Sequence, residues 1–244
     1  MAIMIEKADQ IAKNFVNGYA QTELLPGGYA CLQNYKCFLK AGSSVTPEIY
    51  SDKAIVYVFS RGKGYVSTET NQAFNITELS FFSPGLLGID GVAFSIHAEE
   101  DMEFLRLVYT MTEKDMERYH RWRLRFPYFQ PLSTCVEYVQ DCKTGKAHSW
   151  SVLNPKNVGR IIMGVVRAEG DGEGTVEKGH PAVAQFNYAL PGSDFTLNID
   201  GETVRQCDGD WSFVPAGPDH SLISNGEGKP VYYIWFEHIV DELP

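Results

Sequence analysis

The residues best suited to chemistry lie in one stretch near the C-terminal end of the chain, GDWSFVPAGPDHSLISN. Gly209, Pro215, Gly217, His220 and Asn225 give it the spacing G(x5)PxG(x2)H(x4)N. A histidine here follows a proline–glycine turn and begins a predicted strand. Imidazole is the side chain that binds a divalent metal or carries a proton near neutral pH, so His220 after this turn is a candidate site residue.

This stretch closely resembles the second signature motif of the cupin superfamily, with four residues instead of the usual three between His220 and Asn225. The first cupin motif is matched in spacing by a segment further upstream. Its positions are occupied by Gly172, Lys178, His180, Gln185 and Gly192. Lys178 stands where the motif has its first histidine, and Gln185 stands where it has a glutamate. The resemblance covers residues 160–238 well.

The resemblance implies a divalent metal ion, Mn, Fe, Ni or Zn, held by His180, Gln185 and His220 with positions left open for a substrate. A glutamine is a neutral oxygen ligand, which leaves the ion more electrophilic than a glutamate does and lowers its affinity. As an ammonium, Lys178 cannot ligate, and within a few ångströms of the ion it would repel the ion unless it deprotonates or turns away.

Three interpretations of these residues remain open at this point. In the first, Lys178 turns away and the metal is bound. In the second, the metal is absent and Lys178 acts as a cation or base toward an anionic small molecule. In the third, the residues are polar groups satisfied inside the protein. Strand alternation puts Asn187 on the same face as Gln185, where it is either a substrate contact or a core amide.

The elements that must position these residues are short strands. From Tyr29 onward, alternating β-branched and aromatic runs are separated by turn residues about every 8 to 12 positions. This pattern, with the cupin resemblance, predicts an all-β fold of two cupin barrels (double-stranded β-helix, jelly-roll). A short N-terminal helix and a connecting helix are predicted in addition to the barrels.

Two segments have helical patterns. Ile3, Ile11 and Phe15 form an apolar stripe, and Thr112 followed by Asp115 resembles a capping box. The predicted organisation follows from these segments. It comprises a helical lead-in over 1–24, a degenerate cupin barrel over 25–111, a helical connector over 112–150 and a C-terminal barrel with the candidate site over 151–244.

The N-terminal half aligns with the same skeleton but lacks its ligands. Glu48, Tyr50 and Ile55 stand at the positions of Lys178, His180 and Gln185, and Val92 stands at the position of His220. We therefore predict that this half has no metal site.

Composition excludes several classes of partner. The net charge of −10, with scattered Lys and Arg, disfavours nucleic acid. No stretch approaches the roughly 18 apolar residues of a membrane span, and no export signal opens the chain. The five cysteines have no metal-ligand spacing. These features predict a cytoplasmic protein that binds a small polar substrate, and related two-barrel proteins suggest a homodimer.

The function predicted from the sequence is a metal-dependent isomerase, lyase or hydrolase acting on a small polar carbonyl or carboxylate compound. Lys178 or Asn187 would orient that substrate. The alternative is a metal-free cupin that binds a small molecule without turnover. A third candidate is a dioxygenase, which the loss of one histidine and the carboxylate disfavours.

Overall fold

The computed structural model describes residues 3–240, apart from the side chains of residues 155 and 156. The described chain is mostly β, as predicted, and its one α-helix is α1 (Glu113–Trp122). Two short 3-10 helices span Ala8–Gln10 and Leu132–Thr134. The strands in chain order are β1 (Met4–Glu6), β2 (Tyr19–Leu24), β3 (Leu32–Leu39), β4 (Ser44–Val45), β5 (Lys53–Arg61), β6 (Gly64–Thr68), β7 (Ala73–Ile76), β8 (Ser80–Ser83), β9 (Phe94–Ala98), β10 (Met102–Thr110), β11 (Tyr128–Pro131), β12 (Val136–Tyr138), β13 (Ala147–Val158), β14 (Ile161–Ala168), β15 (Gly174–Glu177), β16 (Val183–Ala189), β17 (Asp194–Ile199), β18 (Glu202–Cys207), β19 (Trp211–Val214), β20 (His220–Ser224) and β21 (Val231–Ile239).

The described residues divide into two compact units. The N-terminal unit comprises residues 11–134 and 156–159, and the C-terminal unit comprises residues 3–10, 135–155 and 160–240. Each unit contains one large antiparallel sheet and one four-stranded sheet.

The two units repeat the same strand order. The N-terminal unit has the sheets β11-β8-β5-β10-β3-β2 and β4-β9-β6-β7. The C-terminal unit has β1-β19-β16-β21-β14-β13-β12 and β15-β20-β17-β18, so that β16 corresponds to β5 and β20 corresponds to β9. Among the described strands neither unit closes into a continuous hydrogen-bonded barrel, and the two-barrel description stays a prediction.

In each unit the apolar core combines residues of the large sheet and of the four-stranded sheet. In the C-terminal unit, Val166 and Tyr233 of the large sheet form one cluster with Leu197 and Leu222 of the small sheet. Alternation along each strand produces this arrangement, because every second side chain points to the same face. Polar residues that occupy such inward positions therefore end up inside the unit.

The predicted N-terminal helix is wrong. Residues 4–6 form an edge strand whose register pairs Met4 with Phe213, and Asp210 then accepts hydrogen bonds from the Ala8 amide at 2.9 Å and from Lys7 Nζ at 2.9 Å. A short isolated helix is only marginally stable in water. Pairing with β19 instead gives the backbone of this segment its hydrogen bonds and holds it in the sheet.

A helix inside the predicted connector is confirmed, but it spans only Glu113–Trp122, and β11 and β12 follow it within residues 112–150. The Thr112 hydroxyl accepts a hydrogen bond from the Asp115 amide at 3.2 Å, and the Asp115 carboxylate accepts one from the Thr112 amide at 2.9 Å. These reciprocal bonds form the capping box that the sequence predicts. Tyr119 is fully buried and donates a hydrogen bond to Asp90 at 2.7 Å.

Within the described residues, no helix has both the length and the apolar character needed to cross a bilayer.

Candidate metal centre

Glu177 and His220 face each other across an antiparallel pair of strands. Glu177 ends β15, His220 begins β20, and the register places these two residues directly opposite each other. Directly opposed residues project side chains to the same face of a sheet. The His220 side chain is fully buried and that of Glu177 is 17% exposed, so this face points into the unit.

His180 reaches the same place from the loop after β15. Its backbone carbonyl accepts a hydrogen bond from the Gly217 amide at 3.3 Å. A Cβ at Gly179 would lie 1.6 Å from the Gly217 carbonyl oxygen, so only glycine permits this close approach of the loop to the turn before β20. The Gly179 amide also donates to Asp219 at 2.8 Å. These contacts hold the His180 ring 5.2 Å from the His220 ring.

The two imidazoles turn their Nε2 atoms toward one carboxylate oxygen. His180 Nε2 lies 3.7 Å and His220 Nε2 lies 3.6 Å from Glu177 Oε2. Both Nε2 atoms are buried without a hydrogen-bond partner. The Nδ1 atoms are engaged, with the Val183 carbonyl at 3.0 Å and the Pro218 carbonyl at 3.3 Å. A proton on Nδ1 would leave Nε2 free as a ligand.

This donor set fits a divalent metal ion. One ligand atom from each of Glu177, His180 and His220 lies within 4.8 Å of the other two. Ligand atoms bound at about 2.0–2.2 Å stand roughly 3–4 Å apart, so only small side-chain movements would be needed. Two imidazoles and one carboxylate are a known facial set for transition metals. Among the described residues, no second group of three such side chains converges in this way.

Charge in the centre is balanced around Glu177. Lys143 Nζ is buried and lies 3.4 Å from Glu177 Oε1. Burial opposes ionisation of Glu177, yet His180, Lys143 and His220 outweigh it and hold the pKa of its carboxyl at about 2. The facing carboxylate raises the pKa of His180 to about 9. Burial lowers the pKa of His220.

Gln185 and Asn187 lie on one buried face, as strand alternation predicts. Gln185 Nε2 donates to Asn187 Oδ1 at 2.7 Å, which leaves Gln185 Oε1 and Asn187 Nδ2 buried without hydrogen-bond partners. Gln185 also pairs in register with Glu237 of β21. Burial raises the pKa of Glu237 to about 7, while the charges of His180 and Glu177 act on it in opposite directions.

The structure does not bring Lys178 to the imidazole pair. The Lys178 side chain is 94% exposed, and its ammonium lies 3.1 Å from Asp219. Alternation along β15 explains this orientation, since Glu177 points inward and the neighbouring Val176 is 60% exposed. Lys178 instead lies at an open cleft of about 520 Å³, whose lining also includes Glu177 and His220.

A second cleft, of about 470 Å³, lies elsewhere in the C-terminal unit. Tyr138 and Trp235 line it together with the polar residues Gln140, Ser151 and Asn154. Tyr138 is subject to the charges of Glu237 and Glu177, and burial raises its pKa. The lining of this cleft includes none of Glu177, His180 and His220, so the cleft that Glu177 and His220 line is the better candidate for a substrate entrance.

Asn225, the last residue of the C-terminal motif, has a structural role. Its amide donates to Asp194 at 2.7 Å, and its carbonyl oxygen accepts from Thr196 at 2.6 Å. Asp194 is also bound by Arg205 at 2.8 and 2.7 Å. The motif residue fixes the loop after β20 rather than entering the centre.

Sequence reasoning missed Glu177, Lys143 and Glu237. The sequence pattern at Glu177 was misleading, because alternation would bury the apolar Val176 and expose Glu177, whereas the structure buries Thr175 and leaves Val176 60% exposed. The signal for Glu237 was a lone carboxylate in the apolar run VYYIWFEHIV. Lys143 lies in a turn-rich segment without hydrophobic periodicity, so the burial of its side chain could not be predicted.

Comparison with solved structures identifies the fold. A cupin 2 conserved barrel domain protein from Leptotrichia buccalis shares 14% identity, covers 98% of each chain and has a TM-score of 0.63. An oxalate decarboxylase from Lactobacillus farciminis, solved as a formate complex, shares 12% identity over 99% of this chain and 87% of its own, with a TM-score of 0.71. Protein Ylba from E. coli shares 17% identity over 98% of this chain and 92% of its own, with a TM-score of 0.69.

At these identities the likeness shows the fold alone, and that fold is the cupin fold. No family model and no curated protein sequence matches the chain.

Proposed function

We propose that this protein is a metal-dependent enzyme of the isomerase, lyase or hydrolase class that acts on a small polar carbonyl or carboxylate compound. One observation carries the proposal. Two buried Nε2 atoms without hydrogen-bond partners face the same Glu177 carboxylate oxygen at 3.6–3.7 Å. Buried polar atoms are seldom left unsatisfied, so their convergence supports a cation between them.

Glu177, His180 and His220 would hold the ion, and Gln185 is a further candidate ligand through its unpartnered Oε1. A divalent ion in such a site polarises a carbonyl oxygen and stabilises the negative charge that develops on it.

The chain's own residues would prepare the substrate for this. Lys143 keeps Glu177 ionised, and Asn187 presents an unpartnered amide donor on the face of Gln185. Glu237, whose pKa burial raises to about 7, is suited to exchanging a proton with a substrate near neutral pH. A small polar compound would approach through the cleft that Glu177 and His220 line.

Elemental analysis of the purified protein by plasma mass spectrometry tests the proposal. We expect nearly one equivalent of Mn, Fe, Ni or Zn in the natural protein and its loss in His220→Ala. His148→Ala is the matched control, because His148 also faces a carboxylate, Glu137 at 2.6 Å, but on the surface. Metal that disappears equally in both variants would mean surface binding and would reject the proposal.

A metal-free binding protein is the second candidate, and the Lys143–Glu177 pair favours it. A buried ammonium 3.4 Å from the carboxylate already supplies a positive charge to the centre. Protein that carries no metal after purification, and takes up none when titrated with Mn²⁺ or Zn²⁺, would support this candidate. Iron together with oxygen consumption would instead indicate a dioxygenase.

We also propose that a second copy of the chain is a partner. Val136, on the outermost strand of the seven-stranded sheet, is 71% exposed, and Val139 just beyond it is 94% exposed. Covering these side chains would remove apolar surface from water. Light scattering after size exclusion should give twice the 27.4 kDa mass of the chain.

A further inference from the structure

The N-terminal unit contains a half-buried arginine with no acidic partner. Arg106 lies on β10, and its guanidinium donates through Nη2 to the Tyr50 hydroxyl at 3.1 Å. Among the described residues, no carboxylate lies within ion-pair distance of it. Removing a charged group from water is costly unless an opposite charge compensates. The positive charge of Arg106 is therefore not compensated by a carboxylate, and a bound anion would compensate it.

Aromatic side chains surround this guanidinium. The Tyr35 ring centre lies 5.4 Å from the Arg106 Cζ atom, and Tyr57 pairs with Arg106 in register on β5. Tyr35, Tyr50 and Arg106 all keep partial exposure, whereas Tyr57 is fully buried. The cluster thus has an open side toward solvent and a closed floor formed by Tyr57.

Two polar atoms in this cluster are unsatisfied. Arg106 Nε and the Tyr57 hydroxyl are both buried without a hydrogen-bond partner. Each can donate, and the guanidinium also retains part of its five-donor fork. A carboxylate accepts such donors in pairs, and its charge would neutralise Arg106.

The position of the cluster corresponds to the metal centre of the other unit. Val45 pairs with Ile96 as Thr175 pairs with Leu222, and Tyr50 follows Val45 at the same interval of five residues by which His180 follows Thr175. Strand register also places Phe94 where the C-terminal unit has His220, which moves the sequence alignment from Val92 by two residues. Apolar and phenolic groups have thus replaced the ligands.

We infer that the N-terminal unit binds a small monocarboxylate at Arg106, with the Tyr57 hydroxyl as second donor and Tyr35 and Tyr50 at the entrance. The ligand must be small, of acetate or formate size, because Tyr57 and its neighbour Phe94, with ring centres 5.4 Å apart, fill the interior behind the guanidinium. The exposed Glu48 carboxylate, which accepts a hydrogen bond from Tyr50 at 3.2 Å, disfavours larger or doubly charged anions at the entrance.

The test is an NMR titration of the full-length protein with isotope-labelled acetate at constant ionic strength, with acetamide as the neutral isostere. We expect the natural protein to bind acetate and not acetamide. Tyr57→Phe should raise the dissociation constant about tenfold, because it removes one hydrogen bond to a charged acceptor. It should change the melting temperature little, because phenylalanine keeps the ring packed against Phe94. Arg106→Gln should abolish binding.

His220→Ala separates this site from the metal centre, and acetate affinity should be unchanged in that variant. Acetate binding that vanishes in His220→Ala but persists in Tyr57→Phe would place the ligand in the C-terminal unit and overturn the inference. Equal binding of acetamide, or no binding to the natural protein, would overturn it as well. If Arg106→Gln does not fold, Tyr57→Phe alone decides.

Discussion

Glu177 Oε2 lies 3.6 Å from His220 Nε2 across the β15–β20 pair, while Glu177 Oε1 lies 3.4 Å from Lys143 Nζ. One carboxylate therefore connects a buried ammonium to the two imidazoles. The arrangement gives Glu177 two separable roles. It is a candidate metal ligand through one oxygen and the counter-ion of Lys143 through the other.

Glu177→Gln should separate these roles. Glutamine keeps the shape of the side chain but leaves the Lys143 ammonium buried without its counter-ion, so we expect the free energy of unfolding to fall by about 2–4 kcal/mol. Metal content should fall at the same time. Urea denaturation and elemental analysis measure the two effects.

A double-mutant cycle controls this prediction. Adding Lys143→Met to Glu177→Gln should restore most of the stability but none of the metal. Glu137→Gln, which removes an exposed carboxylate beside His148, should change stability by less than about 1 kcal/mol. Equal stability of Glu177→Gln and the natural protein would contradict the ion-pair role.

Metal binding should release a proton. In the metal-free protein the Glu177 carboxylate raises the pKa of His180 to about 9, so this imidazole is protonated at pH 7. A ligand must be deprotonated, and affinity should therefore rise about tenfold per pH unit between pH 7 and pH 9. Calorimetric titration with Mn²⁺ or Zn²⁺ in two buffers of different ionisation enthalpy counts the proton. Affinity that is flat over this range would show that His180 is not a ligand.

The features of this centre that the sequence predicted are those set by residues close together in the chain. The spacing of Gly217 and His220 predicted a turn followed by a strand, and the His180 loop was found from the first motif. Strand alternation predicted that Gln185 and Asn187 share a face. Thr112 and Asp115 gave the cap of α1 from adjacent residues alone.

What the sequence could not provide was long-range pairing. Glu177 meets His220 through the pairing of β15 with β20, and Met4 pairs with Phe213 near the other end of the chain. The helical stripe over residues 3–15 was wrong for this reason, because pairing with β19 overrides a weak local preference.

Lys178→Ala tests whether the residue at the first histidine position matters. Because the Lys178 side chain is 94% exposed and its ammonium pairs with Asp219, we expect metal content to be unchanged and stability to change by less than about 0.5 kcal/mol. Lys63→Ala is a comparable control, since Lys63 pairs with Glu100 on the surface at 3.0 Å. A loss of turnover with full metal content would instead make Lys178 a substrate-orienting residue, and a loss of metal would contradict its placement.

Stability should depend on pH through Asp194. Its bonds to Arg205, Asn225 and Lys229 outweigh burial and hold the pKa of its carboxyl well below the ordinary value. The unfolded chain therefore takes up a proton first as pH falls, so the stabilisation is complete above about pH 4 and is lost below it.

Asp194→Asn should lower the free energy of unfolding at pH 7 by on the order of 1 kcal/mol, because Arg205 is largely exposed and screened. Urea denaturation should show this difference constant from pH 7 to about pH 5 and shrinking as the pH falls below about 4. Asp171→Asn, at an exposed loop carboxylate, should show no such trend. A difference for Asp194→Asn that stays constant with pH would mean that side-chain shape, rather than ionisation, stabilises this corner of the C-terminal unit.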